Sequence, residues 1–362
     1  MDKKIKVCLV ATCLDNGGAE KSIAVLSELL YNKGYDVHII TLINRIVFNY
    51  SGKLINLGLQ KDENDSIFGK IKRFCFFRNY LEENEFDFII DNRSHQHSFR
   101  ELFYLLFIYR NNRIIYIVRS NNLDFYFPPN KWISELMVKK SEIIICVSKA
   151  IETIIQNTFN ISRTKTIYNT STTSTIPPLV NNLSKTNYIL YLGQLNDEIK
   201  NISLLIDSYN HSILRKKVKL ELFGKGPDKQ MLQDKIDKLG ISDFVRINPF
   251  TIDIVDKIIH AKFLVLTSRF EGFPRVLVEA LRLGTPVVSV DCQTGPSEIV
   301  KNEENGLLIE NHNYHALAAA MTRMYEDEEL YNKCKKNAAC SVSHLHPDSI
   351  AHEWDTLLKQ LL

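Results

Sequence analysis

The stretch FEGFPRVLVEALRLGTPVVSVDC, Phe270–Cys292, decides the architecture of the second half of the chain. Gly272 and Pro274 interrupt any helix through its first residues, and Pro274 suits the first turn of a helix that follows. The β-branched run PVVSV indicates a buried strand, as does KFLVLTS just before the stretch. Strand, loop, helix and strand in this order predict one unit of a parallel sheet. Glu271 then lies in the loop, and Glu279 lies about one turn into the helix.

The same alternation of apolar runs and helical patterns extends outward to both ends of the chain. Amphipathic segments such as AEKSIAVLSELLYNKG lie between strand-like runs. Those runs are IKVCLVAT, DVHIITLI, FDFIID, RIIYIV, EIIICVS, NYILYLG, VKLELFGKG and DFVRINPF, in addition to the two above. Strands that alternate with helices predict an α/β fold with doubly wound, Rossmann-like parallel sheets.

A polar interruption divides this alternation into two parts. NTSTTSTIPPLVNNLSKTN, Asn169–Asn187, carries Pro177 and Pro178 and is typical of a linker between domains. Two such domains predict a ligand cleft between the carboxyl ends of their strands. The predicted boundaries are a first domain at 1–175, a linker at 176–186, a second domain at 187–344 and a C-terminal amphipathic helix at 345–362.

Composition narrows the class of protein. The 362 residues suffice for about two domains, and a hydrophobic share of 45% supports a large core. Seven scattered cysteines without a CxxC pair argue against a disulfide framework and a zinc site, and favour a reducing cytoplasm. The densest apolar run, LFYLLFIY, is far shorter than the roughly 18 residues of a spanning helix. We therefore expect a soluble cytoplasmic protein, or one that touches a membrane only peripherally; a net charge of +3 predicts no nucleic-acid partner.

Four loops that leave predicted strands carry the residues suited to chemistry. TCLDNGGAEKS opens a helix after Gly17 and Gly18, where free N–H groups favour an anion, yet it is neither a GxGxxG nor a P-loop motif. Taken alone, this loop is explained equally well as a tight strand-to-helix turn. LYLGQLNDEIKN offers Gly193 and Lys200, a cation that either is a solvated surface charge or clamps a phosphate. ELFGKGPDKQ is either a simple turn or a glycine shelf along which a nucleotide lies.

The fourth loop contains the two glutamates of the opening stretch. The free N–H groups of the segment from Gly272 to Leu277 lie between Glu271 and Glu279. Phosphates on the amides and sugar hydroxyls on the carboxylates would suit this arrangement, so a nucleotide sugar fits it. Taken singly, Glu271 is better explained as a loop residue and Glu279 as a helix surface acid.

These residues resemble the signature of the family 4 retaining glycosyltransferases of the GT-B fold. SRFEGFPRVLVEALRLGTPVVSVDCQTGPSEIV followed by ENGLLI carries the Glu-x7-Glu pair, and NGGAEKS, LGQLNDEIKN and FGKGP appear in the expected order. The resemblance spans nearly the whole chain and is weakest outside the glycines of the N-terminal part. It implies a C-terminal helix, with Trp354, that crosses back to the first domain.

The resemblance also implies roles by position. Glu271 would contact the donor sugar, Glu279 the ribose, and Lys200 the diphosphate and leaving group; Arg119 would complete the catalytic set. The backbone of the fourth loop would meet the sugar and diphosphate, and Gly17 and Gly18 would close against the donor. The full donor-binding set is Gly17, Gly18, Gly193, Gln194, Gly224, Gly226, Arg269, Gly272, Phe273, Pro274, Val276, Leu277 and Glu279.

Two positions depart from the family pattern. Gln194 stands where relatives carry an arginine, so either Lys200 suffices or Arg269 or Arg275 supplies the missing cation. Arg119, in VRSNN with Asn121, stands where many relatives carry a histidine. His95 and His97 in DNRSHQH are alternative cleft histidines on the acceptor side, with a surface or supporting role the plainer expectation.

The family implies transfer with retention of configuration from a nucleotide-diphosphate sugar, with UDP and an N-acetylhexosamine favoured. No placed nucleophile is evident, so a front-face mechanism is expected, in which the departing phosphate acts as base. The chain contains no Asp-x-Asp triplet, and neither a metal nor another cofactor is expected.

The acceptor is expected on the first domain and resembles a glycan or lipid-linked glycan of bacterial surface polysaccharide synthesis. GKIKRFCFFRNYL, Gly69–Leu81, mixes basic and aromatic residues and is either a helix that contacts the cytoplasmic membrane face or a core helix with a charged outer face. A nucleotide-sugar 2-epimerase of similar architecture and an inactive sugar-nucleotide-binding scaffold remain as alternatives.

Overall fold

The computed structural model describes residues 4–15, 17–61, 66–170, 188–251 and 253–362. The predicted linker 176–186 lies outside the described residues. The chain forms two compact units, one of residues 1–170 with 347–362 and one of residues 171–346.

The first unit is built on a seven-stranded parallel sheet. Its strand order is β3-β2-β1-β4-β5-β6-β7, so the chain reverses its direction of winding between β1 and β4. The strands are β1 (Lys6–Ala11), β2 (Asp36–Thr41), β3 (Lys53–Asn56), β4 (Phe88–Asp91), β5 (Ile114–Val118), β6 (Ser141–Cys146) and β7 (Thr164–Thr166). The helices of this part are α1 (Gly18–Asn32), α2 (Ile67–Asn84), α3 (Ser98–Phe103), α4 (Lys131–Lys140) and α5 (Lys149–Phe159), and a π-helical turn, Tyr104–Ile108, continues α3.

The second unit repeats the design with six parallel strands in the order β10-β9-β8-β11-β12-β13. Its strands are β8 (Tyr188–Leu192), β9 (Lys219–Phe223), β10 (Val245–Asn248), β11 (Phe263–Leu266), β12 (Val287–Asp291) and β13 (Gly306–Glu310). Its helices are α6 (Asp197–Lys200), α7 (Ile202–His211), α8 (Lys229–Lys238), α9 (Ile254–His260), α10 (Arg275–Arg282), α11 (Pro296–Ile299), α12 (Tyr314–Glu326) and α13 (Glu328–Ser341).

The last helix, α14 (Pro347–Leu361), belongs to the first unit, where it packs against α1. Trp354 is 5% exposed, and the Tyr35 hydroxyl donates to Asp355 Oδ1 at 2.9 Å. Arg113 adds a hydrogen bond from its guanidinium to the carbonyl of Leu361. An apolar face and two polar contacts therefore attach the C-terminal helix.

The prediction of two doubly wound parallel sheets is confirmed. Central strands such as β4 and β5 are buried along their whole length, because helices cover both faces of a parallel sheet. The sheet-edge strands β3 and β7, with sequences KLIN and TKT, are largely half-buried, so they lack the apolar run that identifies a strand, and the sequence missed them. Within the described residues, none of the helices combines the length and apolarity needed to cross a membrane.

Candidate functional site

The second sheet brings two of the predicted loops together at its switch point. β8 and β11 are hydrogen-bonded neighbours, although a long stretch of chain separates them. The segment after β8 includes the short helix α6 and ends in Lys200, and the loop after β11 contains Glu271. In open parallel sheets, ligands bind at the carboxyl ends of the strands where the winding reverses. We refer to the carboxyl ends of the strands at a switch point as the edge of that sheet. In the second unit this edge is the candidate site.

Lys200 and Glu271 form an ion pair there. Lys200 Nζ lies 2.6 Å from Glu271 Oε1, and their side chains are 21% and 12% exposed. The Ser268 hydroxyl donates to the same carboxylate oxygen at 2.6 Å. Lys200 is the last residue of the short helix α6, and the left-handed Asn201 turns the chain into α7. The structure thus brings together a cation and an acid that the sequence placed in separate motifs.

The loop after β12 supports the Glu271 loop from the other side. The Thr294 hydroxyl donates to the carbonyl of Glu271. A Cβ at Gly295, whose φ is +98°, would lie 2.7 Å from Pro274 Cδ and 2.9 Å from the carbonyl oxygen of Gly272. A side chain at this glycine would displace the loop that carries Glu271. Thr294 and Gly295 had no predicted role; the available signal was the sequence TGPSEIV directly after a strand.

Arg269, proposed as a replacement for the missing family arginine, is anchored at the same edge. Its Nη2 donates to Asn201 Oδ1 at 2.8 Å, and its Nη1 lies 3.0 Å from His312 Nδ1. The backbone N–H of Arg269 donates to the carbonyl of Ile199 at 2.8 Å. Arg269 therefore connects the loops after β8 and β11, beside the Lys200 ion pair.

Glu279 lies inside α10 and is 5% exposed, so it is not a surface acid. Arg275 Nη2 lies 3.4 Å from Glu279 Oε1, one helical turn away, in a pair whose side chains are 9% and 7% exposed. Burial lowers the pKa of Arg275, and the charge of Glu279 opposes that shift. Arg275, the second proposed substitute cation, is thus committed to Glu279.

One prediction about the backbone that follows Glu271 is wrong. Leu277 was expected to offer a free N–H group, but its N–H donates to the carbonyl of Pro274 at 3.1 Å. The side chain of Leu277 is fully buried, and that of Phe273 is 5% exposed. Pro274 is the N-cap of α10, one position before the first turn in which it was predicted, and Val276 lies in that first turn. Phe273 and Leu277 therefore anchor the segment in the core.

The glycines after β9 were predicted to form either a simple turn or a shelf for a nucleotide. The structure gives a different reason why glycine is required there. A Cβ at Gly224 would lie 2.0 Å from the carbonyl oxygen of Gly193, and one at Gly226 would lie 2.2 Å from that of Leu195. Leu195 N–H also donates to the carbonyl of Lys225 at 3.0 Å. Glycine is needed because the loop after β9 packs backbone against backbone on the segment after β8. This contact supports the segment that leads to Lys200. Gln194 is exposed, and its backbone carbonyl accepts a hydrogen bond from the Tyr191 hydroxyl at 2.9 Å.

The first sheet has a corresponding edge at its own switch point, between β1 and β4. Gly17 and Gly18 begin α1 there, and Asn92, directly after β4, donates from Nδ2 to the carbonyl of Ala19 at 3.2 Å. Arg119, directly after β5, donates from Nε to Asn92 Oδ1 and from Nη1 to Asn169 Oδ1, the latter at 2.6 Å. Asn92 thus links the glycine loop to the predicted catalytic arginine. Sequence reasoning missed Asn92 and Asn169; the position of Asn92 just past a strand end was the available signal.

A buried network of charges lies beneath this edge. Arg93 donates to both Asp91 oxygens, at 3.0 and 2.7 Å, and its Nη2 donates to Glu101 Oε2 at 3.0 Å. The Tyr109 hydroxyl donates to Asp91 Oδ2 at 2.7 Å. Burial by itself would raise the pKa of Asp91, but the Arg93 guanidinium and His95 hold it well below its usual range. Asp91 is therefore a buried anion with full hydrogen-bond partners.

The histidines after β4 lie in different environments. His95 is 1% exposed, its Nε2 lies 3.2 Å from Asp91 Oδ2, and its Nδ1 lies 3.1 Å from the carbonyl oxygen of Tyr126. Of the two roles expected for His95, the surface position is wrong because the network encloses it, and the supporting role stays a prediction. His97 is exposed at the start of α3, and Asn121 is half-buried in the loop after β5. Of these three acceptor-side candidates, only His97 and Asn121 lie outside the buried network.

The parts of the chain that the structure describes contain no cluster of side chains suited to binding a metal ion. Across residues 4–15, 17–61, 66–170, 188–251 and 253–362, no three His, Cys, Asp or Glu side chains come close enough to hold a metal ion.

Two protein-family models match the chain, one in each half. The model "Glycosyltransferase Family 4" matches residues 16–173, and the model "Glycosyl transferases group 1" matches residues 176–340. A Campylobacter jejuni protein named N-acetylgalactosamine-N,N'-diacetylbacillosaminyl-diphospho-undecaprenol 4-alpha-N-acetylgalactosaminyltransferase is 29% identical over 348 residues, which cover 90% of this chain and 91% of that protein. A second C. jejuni protein, GalNAc-alpha-(1->4)-GalNAc-alpha-(1->3)-diNAcBac-PP-undecaprenol alpha-1,4-N-acetyl-D-galactosaminyltransferase, is 24% identical over 371 residues, 99% of each chain.

Solved structures are similar over the whole chain. A TarM variant from S. aureus, crystallised with Fondaparinux, alpha-GlcNAc-glycerol and UDP, superposes with a TM-score of 0.77 at 17% identity over 98% of this chain and 99% of that one. HepE from Anabaena, in complex with UDP and glucose, gives a TM-score of 0.76 at 19% identity over 98% and 100%. At these identities the likeness concerns the fold. Together with the two family models, it shows that this chain belongs to the group 1, family 4 glycosyltransferases and has the GT-B fold.

Proposed function

We propose that this glycosyltransferase moves a sugar, with retention of its anomeric configuration, from a UDP-sugar to a lipid-linked glycan in bacterial surface polysaccharide synthesis. The observation that carries the proposal is the Lys200–Glu271 ion pair, 2.6 Å long, at the switch point of the second sheet. It combines, at one strand edge, a cation for a diphosphate and a carboxylate for sugar hydroxyls.

The chemistry assigned to this edge is orientation and charge stabilisation. When the donor binds, Lys200 turns to the diphosphate and stabilises the negative charge that develops as the glycosidic bond to phosphate breaks. Glu271, held by Ser268 through a 2.6 Å hydrogen bond, then accepts hydrogen bonds from the sugar hydroxyls. The departing phosphate oxygen takes the proton of the acceptor hydroxyl, which attacks from the same face. No protein nucleophile and no metal ion is required in this scheme.

Glu279 and Arg119 have distinct proposed roles. Glu279 accepts hydrogen bonds from the ribose hydroxyls, and its pairing with Arg275 fixes the carboxylate in a buried position. Arg119, held by Asn92 and Asn169, acts in the first unit on the sugar or on the acceptor.

The donor and acceptor classes rest on the relatives. Both C. jejuni relatives are named as N-acetylgalactosaminyltransferases that act on undecaprenol diphosphate-linked sugars. The TarM and HepE structures are complexes that contain UDP. A UDP-N-acetylhexosamine and a polyprenol diphosphate-linked glycan are therefore the first substrates to test, with the enzyme acting in the cytoplasm.

The epimerase alternative has no support from these comparisons, since the relatives reported above are named as transferases. Only a measured transfer reaction distinguishes an enzyme from the inactive sugar-nucleotide-binding scaffold.

The test is a transfer assay with radiolabelled UDP-GalNAc, UDP-GlcNAc and UDP-glucose and a synthetic polyprenol diphosphate-linked disaccharide. We expect one of these sugars to be transferred. The reaction should persist in EDTA, and NMR should show an α-linked product. Lys200→Ala should lose that transfer, whereas Lys217→Ala, which removes the exposed pair with Glu326, should not. Binding of UDP without transfer to this or to shorter acceptors would favour the scaffold.

A further inference from the structure

One residue beside the candidate site of the second unit has an uncommon backbone conformation. His312 has a φ of +63°, in the left-handed region where residues other than glycine are rare. It lies just past the end of β13, in the turn between that strand and α12. Backbone strain of this kind persists only where the surrounding structure imposes it, and it is concentrated at functional sites. The contacts of His312 indicate what its function is.

Polar side chains hold the turn on both sides of His312. The backbone N–H of His312 donates to Asn311 Oδ1 at 2.9 Å. Asn313 caps α12, where its Oδ1 accepts from the N–H of Ala316 at 3.0 Å. These hydrogen bonds fix the backbone of the turn, so the imidazole of His312 stays at the carboxyl end of β13.

The imidazole of His312 contacts Arg269, one of the cations predicted to replace the missing family arginine. Arg269 Nη1 lies 3.0 Å from His312 Nδ1. A guanidinium only donates hydrogen bonds, so Nδ1 is the acceptor and the proton of the neutral imidazole is on Nε2. At its other end, Arg269 Nη2 donates to Asn201 Oδ1 at 2.8 Å. Asn201 is also left-handed, with a φ of +49°, so two such turns hold this guanidinium.

Neutral acceptors distinguish Arg269 from Lys200 and Arg275. Lys200 and Arg275 are each paired with a glutamate, at 2.6 and 3.4 Å. The polar contacts of Arg269 run instead to Asn201 and His312, which orient its guanidinium without neutralising the positive charge. A cation held in this way can bind a phosphate without first releasing a carboxylate.

We propose that His312 is a positioning residue for the donor diphosphate: it holds the Arg269 guanidinium at the edge of the second sheet, where Arg269 and Lys200 together bind the phosphates. The inference rests on the proposed function, because it assigns the anion at this edge to a nucleoside diphosphate. The left-handed turn places Nδ1 within hydrogen-bond distance of Arg269, at a cost in stability that glycine would not carry. His312 acts only through Arg269.

The experiment is calorimetric titration of the full chain with UDP, inorganic diphosphate and uridine. His312→Gly removes the acceptor but suits the left-handed turn, so the Kd for UDP and for diphosphate should rise about three- to tenfold, the effect of one lost hydrogen bond. The Kd for uridine, which has no phosphate, should not change. His312→Asn should bind UDP as the wild type does, because asparagine tolerates this turn and its Oδ1 replaces Nδ1 as acceptor.

A double-mutant cycle tests whether His312 acts through Arg269. Arg269→Ala should raise the Kd for UDP by about tenfold or more, since a hydrogen bond to a charged group is lost. Adding His312→Gly to Arg269→Ala should cause no further loss, because both changes remove the same contact. Additive losses would assign His312 to another group and overturn the proposal. Equal UDP affinity in His312→Gly and wild type would also overturn it.

The matched control is a second left-handed residue of the same unit. Lys216 is exposed and has a φ of +72°. His312→Gly and Lys216→Gly should both raise the urea midpoint followed by circular dichroism, since glycine relieves the strain of each turn. Only His312→Gly should weaken UDP binding. Weaker binding in both variants would ascribe the effect to a more flexible backbone and reject the role of the imidazole.

Two outcomes separate this inference from the proposed function. UDP binding that depends on His312, in a protein that transfers no sugar, would support the positioning role and reject the transfer reaction. A wild-type chain that binds neither UDP nor inorganic diphosphate would overturn both.

Discussion

Lys200 Nζ lies 2.6 Å from Glu271 Oε1, although 71 residues separate the two along the chain. In the absence of a ligand, each side chain neutralises the other, and Ser268 and Thr294 hold the acid in place through hydrogen bonds to its carboxylate and its carbonyl. A donor diphosphate would compete with Glu271 for Lys200. The pair therefore couples binding of the phosphate to release of the carboxylate that is assigned to the sugar.

Replacing either member of this pair should affect UDP binding in opposite ways. Lys200→Ala removes the cation and should weaken UDP binding and lower kcat by about 10²–10³-fold. Glu271→Gln removes the competing anion, so UDP should bind as tightly as in wild type or more tightly, while transfer falls by a similar factor. Calorimetric titration of UDP and initial-rate assays measure both effects. A parallel loss of UDP affinity in both variants would contradict the competition.

Asn92 should act through Arg119. Asn92→Ala removes the acceptor of the Arg119 Nε hydrogen bond and the contact with Ala19. We expect kcat to fall by about tenfold or more with little change in the KM for the donor, since a 1 Å misplacement of an orienting group costs up to 10²-fold. Asn337→Ala, which removes an exposed hydrogen bond to the Glu304 carbonyl, is the control. An Asn92→Ala enzyme with wild-type kcat would argue against a role for Arg119.

The Arg93 network should stabilise the first unit. Arg93→Met removes the buried guanidinium that pairs with Asp91 and leaves Glu101 with Arg100 as its cation. Breaking a buried pair in this way costs about 3–5 kcal/mol of unfolding free energy. Both tryptophans, Trp132 and Trp354, lie in this unit, so their fluorescence in a urea titration follows its unfolding.

The control for that titration is Arg323→Ala, which removes an ion pair with Glu303 in which both side chains are nearly half exposed. Its urea midpoint should stay close to that of wild type, since exposed pairs contribute little. Equal midpoints for Arg93→Met and wild type would show that the network does not hold this unit together.

The two tryptophans also form a matched pair for the C-terminal helix. Trp354 is 5% exposed where α14 packs on α1, whereas Trp132 on α4 is 62% exposed. Trp354→Ala should lower the unfolding free energy by about 3–5 kcal/mol, the range for large core truncations. Trp132→Ala should change it little. Urea unfolding followed by circular dichroism compares the two; equal effects would mean that α14 contributes no stability.

His38 should make the stability of the first unit depend on pH. Its Nδ1 lies 2.7 Å from the Tyr80 hydroxyl, and its Nε2 lies 3.2 Å from Asp36 Oδ1. Burial lowers the pKa of His38 below its ordinary value of 6.5; Asp36 opposes the shift, and Lys53 adds to it. Between 6.5 and the lowered pKa, the unfolded chain binds a proton that the folded chain does not. Stability therefore falls as the pH decreases through this interval.

The test for His38 is the urea midpoint of wild type and His38→Gln from about pH 7 to about pH 5. The loss of stability on acidification should be smaller in His38→Gln, because glutamine does not titrate. Identical slopes for the two proteins would assign the acid sensitivity to other groups.

Much of the fold follows from local patterns in the sequence. The apolar runs of β1, β4, β5, β8, β11 and β12 are short and bounded by turn residues, and helices lie between them, so two parallel sheets can be predicted. Short polar strands such as β7, with the sequence TKT, escape this reasoning. They are strands only because a neighbour offers hydrogen bonds, and β7 pairs with β6.

By itself, the sequence determined the two sheets, the loops that carry chemistry and the glutamates on either side of a helix start, because period and turn chemistry are local properties of the chain. Only the tertiary structure decided that Lys200 meets Glu271, that Asn92 holds Arg119 and that His95 is buried beside Asp91. These pairings depend on strand order. A parallel sheet that reverses its winding brings distant strand ends together, and no local pattern records which ends those are.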